Sequence, residues 1–186
     1  MAHLSIVPKS ENAQIVELYR TIVQEGFSVD GSTPLNFFTV QESSPHVLQT
    51  TYAFVKSILL QGALPSSVKE MILLAVSAQN HCRYCEATHA GSLEAMGVSR
   101  DTIEACMQGD SDFRNVPPPS REVLRFALKA ATTPQQLDAS DYRAIRERGF
   151  TEGEILEMLV MASLAQFVNC FADSSGIEVD VAPVAR

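Results

Sequence analysis

Apolar residues recur at helical spacing through most of this chain, and no segment shows the sustained alternation of a half-buried strand. That pattern places the fold in the all-α class, as a helical bundle. Helices are expected at 11–25, 45–61, 66–79, 82–96, 99–107, 120–131, 138–147 and 151–171. Breaker residues fall between them: Gly62 and Pro65, Gly97, Pro117 to Pro119, Pro134 and Gly149, with Ser99 and Thr151 as N-caps. Two stretches are apolar nearly all round. One is Met71 to Val76; the other is Ile155 to Phe171, broken only by Glu157, Ser163, Gln166, Asn169 and Cys170. One small core does not need this much apolar surface, so a homo-oligomer is expected.

A weak internal repeat with an offset of 52 runs through the second half of the chain. It aligns Pro65 with Pro117, Lys69 with Arg121, Glu70 with Glu122, Ala75 with Ala127, Gly97 with Gly149, Ser99 with Thr151 and Ile103 with Ile155. A duplicated helical unit follows. At 186 residues and 46% hydrophobic content, one domain is expected, with residues 1–44 as an N-terminal helix and extension and 45–181 as the core. The net charge of -8 and the lack of any basic stripe argue against nucleic acid or an anionic membrane surface as partner. The unbroken apolar runs are too short to cross a bilayer, and Met1 to Ser10 has no cationic stretch followed by an apolar one. A cytoplasmic location is therefore expected.

The chemistry concentrates in Cys82-Arg83-Tyr84-Cys85-Glu86-Ala87-Thr88-His89. On a helix beginning at residue 82, Cys82, Cys85 and His89 share one face. Cysteines one turn apart lie within disulfide reach, at a Cα separation of about 5 Å. Cys106 and Cys170 stand alone in apolar context and read as small buried hydrophobes. Glu70 lies twelve residues before Cys82, and a hairpin folded about Asn80 and His81 sets it level with about residue 91, within a turn of His89. This geometry points to a relay: Glu70 holds His89, and His89, one turn after Cys85, withdraws that thiol's proton. Cys85 is then the attacking thiolate. Cys82 has a competing claim, because it lies nearer the helix N-terminus, where a thiol pKa falls.

Other readings are open at this point. Ser67-x-x-Glu70 has the spacing of a capping box, and Glu122 recurs in the repeat with no thiol nearby. Cys82, Cys85, His89 and Glu70 could together ligate zinc. Arg83 could steady a thiolate and Tyr84 could offer a hydroxyl or a wall. A c-type haem site needs its histidine directly after the second cysteine, and a thioredoxin motif follows a strand; neither fits. No cofactor is expected.

The stretch Leu64 to Val76, continuing through Asn80 to His89, resembles the alkylhydroperoxidase D-like branch of the carboxymuconolactone decarboxylase superfamily, most of all its peroxidase-related subgroup. Glu, twelve residues, Cys, three, Cys, four, His is that branch's motif, and weaker similarity extends from about Ile15 to Val181, including Ser44-Pro45 and Phe167-Val168-Asn169. The resemblance implies an all-α fold, trimers or hexamers, and reduction of peroxides at the expense of an external thiol reductant or redox protein. It also implies that Cys85 is the peroxidatic cysteine, Cys82 its disulfide partner, and Glu70 with His89 the proton relay. Where members of the branch can carry a histidine between the cysteines, this chain has Tyr84. A redox-sensing helical oligomer without turnover is the alternative from a different class.

Overall fold

A computed structural model describes residues 2–108 and 112–180. The helical periodicity is realised as α1 (Ala13–Gln24), α2 (Asn36–Thr39), α3 (Pro45–Leu60), α4 (Ser66–Asn80) and α5 (Arg83–Ala95), then α6 (Arg100–Met107), α7 (Pro118–Thr132), α8 (Ala139–Glu147) and α9 (Glu152–Ser175). A 3-10 turn at Pro134–Gln136 precedes α8. Among the described residues the extended structure is a lone bridge between Ser28 and Pro34. The expected core limit at Val181 lies outside the described residues.

Contacts divide the chain into two compact units, Met1–Ser57 with Phe171–Arg186, and Ile58–Cys170. The first is held by edge-to-face aromatic pairs: Phe27 with Phe38 at 5.6 Å, Phe38 with Tyr52 at 6.0 Å, and Phe37 with Phe171 at 5.3 Å between ring centroids. α2, which periodicity did not reveal, supplies Phe37 and Phe38 to this cluster. Four residues are too few to display a helical period.

The second unit is built on α4, buried without interruption from Val68 to Ala78. Its own chain covers it, because α5, α6 and α7 all pack against it. Its all-round apolar character therefore has an explanation within one subunit. α9 behaves differently: Met158, Met161, Ala162 and Ala165 are buried, while Leu156 is 62% and Phe167 37% exposed. α9 is also long and apolar enough for a membrane span, with a mean hydropathy of 1.7 over its most apolar stretch. Half of that stretch is buried inside the fold.

The repeat is visible in three dimensions. Pro65 and Pro117 sit at the N-caps of α4 and α7 with almost identical backbone angles, φ -56 and ψ 141 against φ -52 and ψ 138. Buried pairs recur in register: Met71 and Val123, Ile72 and Leu124, Ala75 and Ala127, Leu93 and Ile145, Ile103 and Ile155. Gly97 and Gly149 both follow their helices at positive φ, 75 and 92, which glycine adopts without a Cβ penalty. Ser99 accepts from the Thr102 amide at the start of α6, and Thr151 forms a reciprocal box with Glu154 at the start of α9.

Three expectations need correction. Cys82 is not in α5 but is its N-cap, with extended φ -80 and ψ 93. Ser67 and Glu70 form no capping box, because α4 starts two residues earlier, with Pro65 at the N-cap and no side-chain cap bond. Cys106 is buried as expected, and burial pushes its thiol up to about 12, whereas Cys170 lies on the exposed side of α9.

Candidate active site

Two helices and the tight turn between them build the site, all within the second unit. α4 ends at His81, which takes the left-handed conformation at φ 59 in place of the usual glycine. The His81 amide donates to Ala78 O at 3.2 Å and the Cys82 amide to Ser77 O at 3.0 Å, the bond pattern of a Schellman motif. Cys82 is thus the last residue tied to α4 and also the N-cap of the next helix: its carbonyl accepts from the Glu86 amide at 2.9 Å. The turn is as short as two helices allow. Both main-chain groups of Cys82 are engaged, which fixes the residue at the N-terminus of α5.

Cys85 and His89 follow within α5, four residues apart and therefore neighbours on its surface. Glu70 projects from the second turn of α4, and its Oε2 lies 2.8 Å from His89 Nδ1. Each of these two side chains is only 12% exposed. An ionised carboxylate can only accept, so Nδ1 carries the proton and Nε2 is left as a base. The expected hairpin geometry is therefore realised for Glu70 and His89. Cys82 joins them from the cap position rather than from the helical face assumed for it.

Both thiols are sequestered, Cys82 at 0% and Cys85 at 2% exposure, and no disulfide joins them. Tyr84, between them, is also buried, and its carbonyl accepts from Thr88 Oγ1 at 2.9 Å. Arg83 points out to solvent. Tyr84 rather than Arg83 therefore shapes the interior of the site. Among the described residues no three His, Cys, Asp or Glu side chains are grouped to hold one metal ion, so zinc ligation lacks geometric support.

Lys69, adjacent to Glu70, is turned to a different task. Its Nζ is buried, donates to Ile58 O at 2.8 Å and to Gln61 O, and lies 3.3 Å from Glu157 Oε2. Glu157 in turn accepts from the amides of Ala63 and Leu64 at 2.6 and 3.0 Å. Gly62 makes room for this arrangement, since a Cβ there would meet the Glu157 carboxylate at 2.4 Å. This clamp fixes the chain entering α4 and hence the helix that carries Glu70.

Fold and site together define an all-α protein with a sequestered Cys-x-x-Cys pair and a carboxylate-oriented histidine. Residues 45–118, which span both thiols and the relay, match the Carboxymuconolactone decarboxylase family. Among curated proteins none matches the sequence significantly. The chain resembles a peroxidase-related protein with an alkylhydroperoxidase core from Ralstonia eutropha, at 23% identity and a TM-score of 0.80, over 95% of this chain and 93% of that one. A peroxidase-related protein from Silicibacter sp. aligns at 19% identity and a TM-score of 0.83, over 96% and 92%. A debrominase crystallised with 2,3,4-tribromopyrrole aligns at 19% identity and a TM-score of 0.77, over 98% and 96%. The chain has the alkylhydroperoxidase D-like fold, and within it residues 45–118 are similar to the carboxymuconolactone decarboxylase family.

Proposed function

We propose that this protein is a thiol-dependent peroxidase that reduces hydrogen peroxide or organic hydroperoxides through a Cys82–Cys85 disulfide cycle. The observation that carries the reading is the buried Glu70–His89 hydrogen bond, one helical turn from Cys85 on α5. His89 Nε2 takes the Cys85 proton, and Glu70 stabilises the imidazolium that forms. The thiolate attacks one peroxide oxygen, forming an S–O bond and breaking the O–O bond. The other oxygen leaves as alcohol or water after taking the proton back from His89. Cys82 then displaces the hydroxyl of the Cys85 sulfenic acid, an S–S bond forms and water departs. An external dithiol or redox protein returns two electrons and restores both thiols. A reducing, cytoplasmic setting suits that cycle, and the exposed apolar residues of α9 supply a surface for assembly into a trimer or hexamer.

The test is steady-state peroxide consumption driven by a dithiol, combined with mass spectrometry after one equivalent of peroxide. Wild type is expected to turn over and to show the Cys82–Cys85 bond, Cys85→Ser to be inactive, and Cys82→Ser to stop at a sulfenate. A single oxidation without turnover would identify a sensor instead. Bromide release from a bromopyrrole without peroxide consumption would move the protein to the chemistry of its debrominase relative.

A further inference from the structure

A chain of side-chain amides that ends on one hydroxyl adjoins the Cys82 turn, and neither residue of the relay takes part in it. Asn169 on α9 is 2% exposed and Ser77 on α4 is 0% exposed. Asn169 Nδ2 donates to Ser77 Oγ at 2.9 Å, and Asn169 Oδ1 accepts from Asn80 Nδ2 at 2.8 Å. Asn80 Nδ2 also donates to Gln166 Oε1 at 2.9 Å, and Gln166 Nε2 donates to Ala131 O, at the end of α7, at 2.9 Å. The polar atoms of Asn169 and Ser77, with so little access to water, are costly unless paired, so the bond between them holds α9 to the end of α4.

Its attachment points indicate what it does. Ser77 is the residue whose carbonyl receives the Cys82 amide, and Asn80 is the last residue of α4 before the left-handed His81. One side chain, Asn169, therefore ties together two residues of the last turn of α4, the turn that leads into Cys82. Histidine at positive φ is held against its own preference by about 1 kcal/mol or more, so such a turn needs external support to keep one geometry. Gln166 extends the contacts to α7, so residues of three helices converge on the end of α4 that leads into Cys82.

We infer that Asn169, with Asn80 and Ser77, is a positioning residue for Cys82. It sets the sulfur where it can meet the Cys85 sulfenic acid, and so governs disulfide closure rather than the first attack on peroxide. The inference rests on the thiol cycle proposed above. Attack by Cys85 depends on His89 and Glu70, which the network does not touch. Closure depends on two sulfurs meeting in line, and a misplacement on the order of 1 Å can slow such a step by roughly 100-fold.

The experiment separates the two steps. Asn169→Leu keeps the branched shape and removes both hydrogen bonds; Ser77→Ala removes the Oγ acceptor in a smaller change and serves if the leucine variant does not fold. With one equivalent of peroxide and dimedone present, wild type should form the disulfide and leave little trapped sulfenate. The variants should form sulfenate at the wild-type rate, close the disulfide about 10-fold more slowly, and accumulate the dimedone adduct. Ser163→Ala, on the exposed side of α9, should behave as wild type. Closure driven by diamide in place of peroxide provides an independent reading. If wild type closes with diamide but ignores peroxide, the peroxidase reading fails while the positioning role stands or falls on the variants. Wild-type closure rates in a cooperatively folded Asn169→Leu or Ser77→Ala protein, with either oxidant, overturn the inference.

Discussion

The two copies of the internal repeat, a first repeat unit α4–α5–α6 and a second repeat unit α7–α8–α9, start from one plan and diverge where the chemistry lies. Each opens after a proline N-cap, and each uses the next basic residue to reach back to main-chain carbonyls: Lys69 to Ile58 and Gln61, Arg121 to Arg114 and Val116. They part at the second helix. In the first unit α5 begins directly after a two-residue turn, with Cys82 as a cap that makes no side-chain cap bond. In the second, the equivalent residues form the 3-10 turn, and α8 starts later under a full capping box between Asp138 and Asp141. Asp141 stands where His89 would be, and it pairs with Lys129 at 2.7 Å. Glu122 stands where Glu70 would be, and it faces Arg125 and Arg148 near the surface. The scaffold is shared. The second unit uses its helix start for stability, and the first leaves that position to a thiol.

The sharpest way to break this comparison is to make the same change in both units. Glu70→Gln removes the charge that orients His89 and stabilises its protonated form, and peroxide turnover should fall by roughly 100-fold or more, the usual scale for losing acid–base assistance. Glu122→Gln should leave turnover within about twofold, since its partners are exposed surface cations. Steady-state rates across pH check both variants. Equal losses in the two variants would mean that Glu70 acts through stability and not through the relay.

The second prediction is thermodynamic. Lys69 is only 2% exposed, and replacing it with methionine strands Glu157 and two carbonyls, so unfolding free energy should drop by about 3 kcal/mol, the scale for removing one partner of a buried pair. Arg121→Met leaves two carbonyls near water and should cost less than about 1.5 kcal/mol. Urea midpoints of the two variants measure the difference directly. A larger loss for Arg121 would show that the clamp is not what distinguishes the first unit.

The sequence states some of this openly and hides the rest for physical reasons. Long periodic helices, the proline and glycine stops and the repeat are legible because they follow from burial and backbone preference, and the Glu70–His89 contact follows from the length of one hairpin. Cys82 is misread as helical because no residue type marks it as a cap: the two-residue turn depends on His81 adopting a positive φ, which its side chain does not announce. Ser67-x-x-Glu70 carries a capping-box spacing that Pro65 pre-empts by starting the helix earlier. Lys69 and Glu157 look like ordinary charges until burial is known. Asn169 and Gln166 had a signal, as polar residues three apart on an otherwise apolar helix, and pairing them with Ser77 and Asn80 needed the tertiary structure.

The smallest effect concerns acid, and it distinguishes the units by depth. Burial raises the Glu157 carboxyl, but the Ala63 and Leu64 amides and Lys69 outweigh it and hold the group below its ordinary 4.5. Asp141 is likewise held below 3.8, first by Lys129 and then by the Asp138 amide. A depressed carboxyl contributes stability in full above its unfolded pKa, and that contribution is lost as pH falls toward the folded value. Both groups should therefore weaken the fold below about pH 4.5. The ion pair of Glu157 is with a buried lysine and that of Asp141 with a half-exposed one, so solvent screens the second more. Glu157→Gln should lower stability at neutral pH and flatten the fall in unfolding midpoint between pH 5 and 3, while Asp141→Asn should change both less. An Asp141→Asn profile as flat as that of Glu157→Gln would show that acid sensitivity is spread evenly over the repeat, and that depth of burial does not set the two units apart.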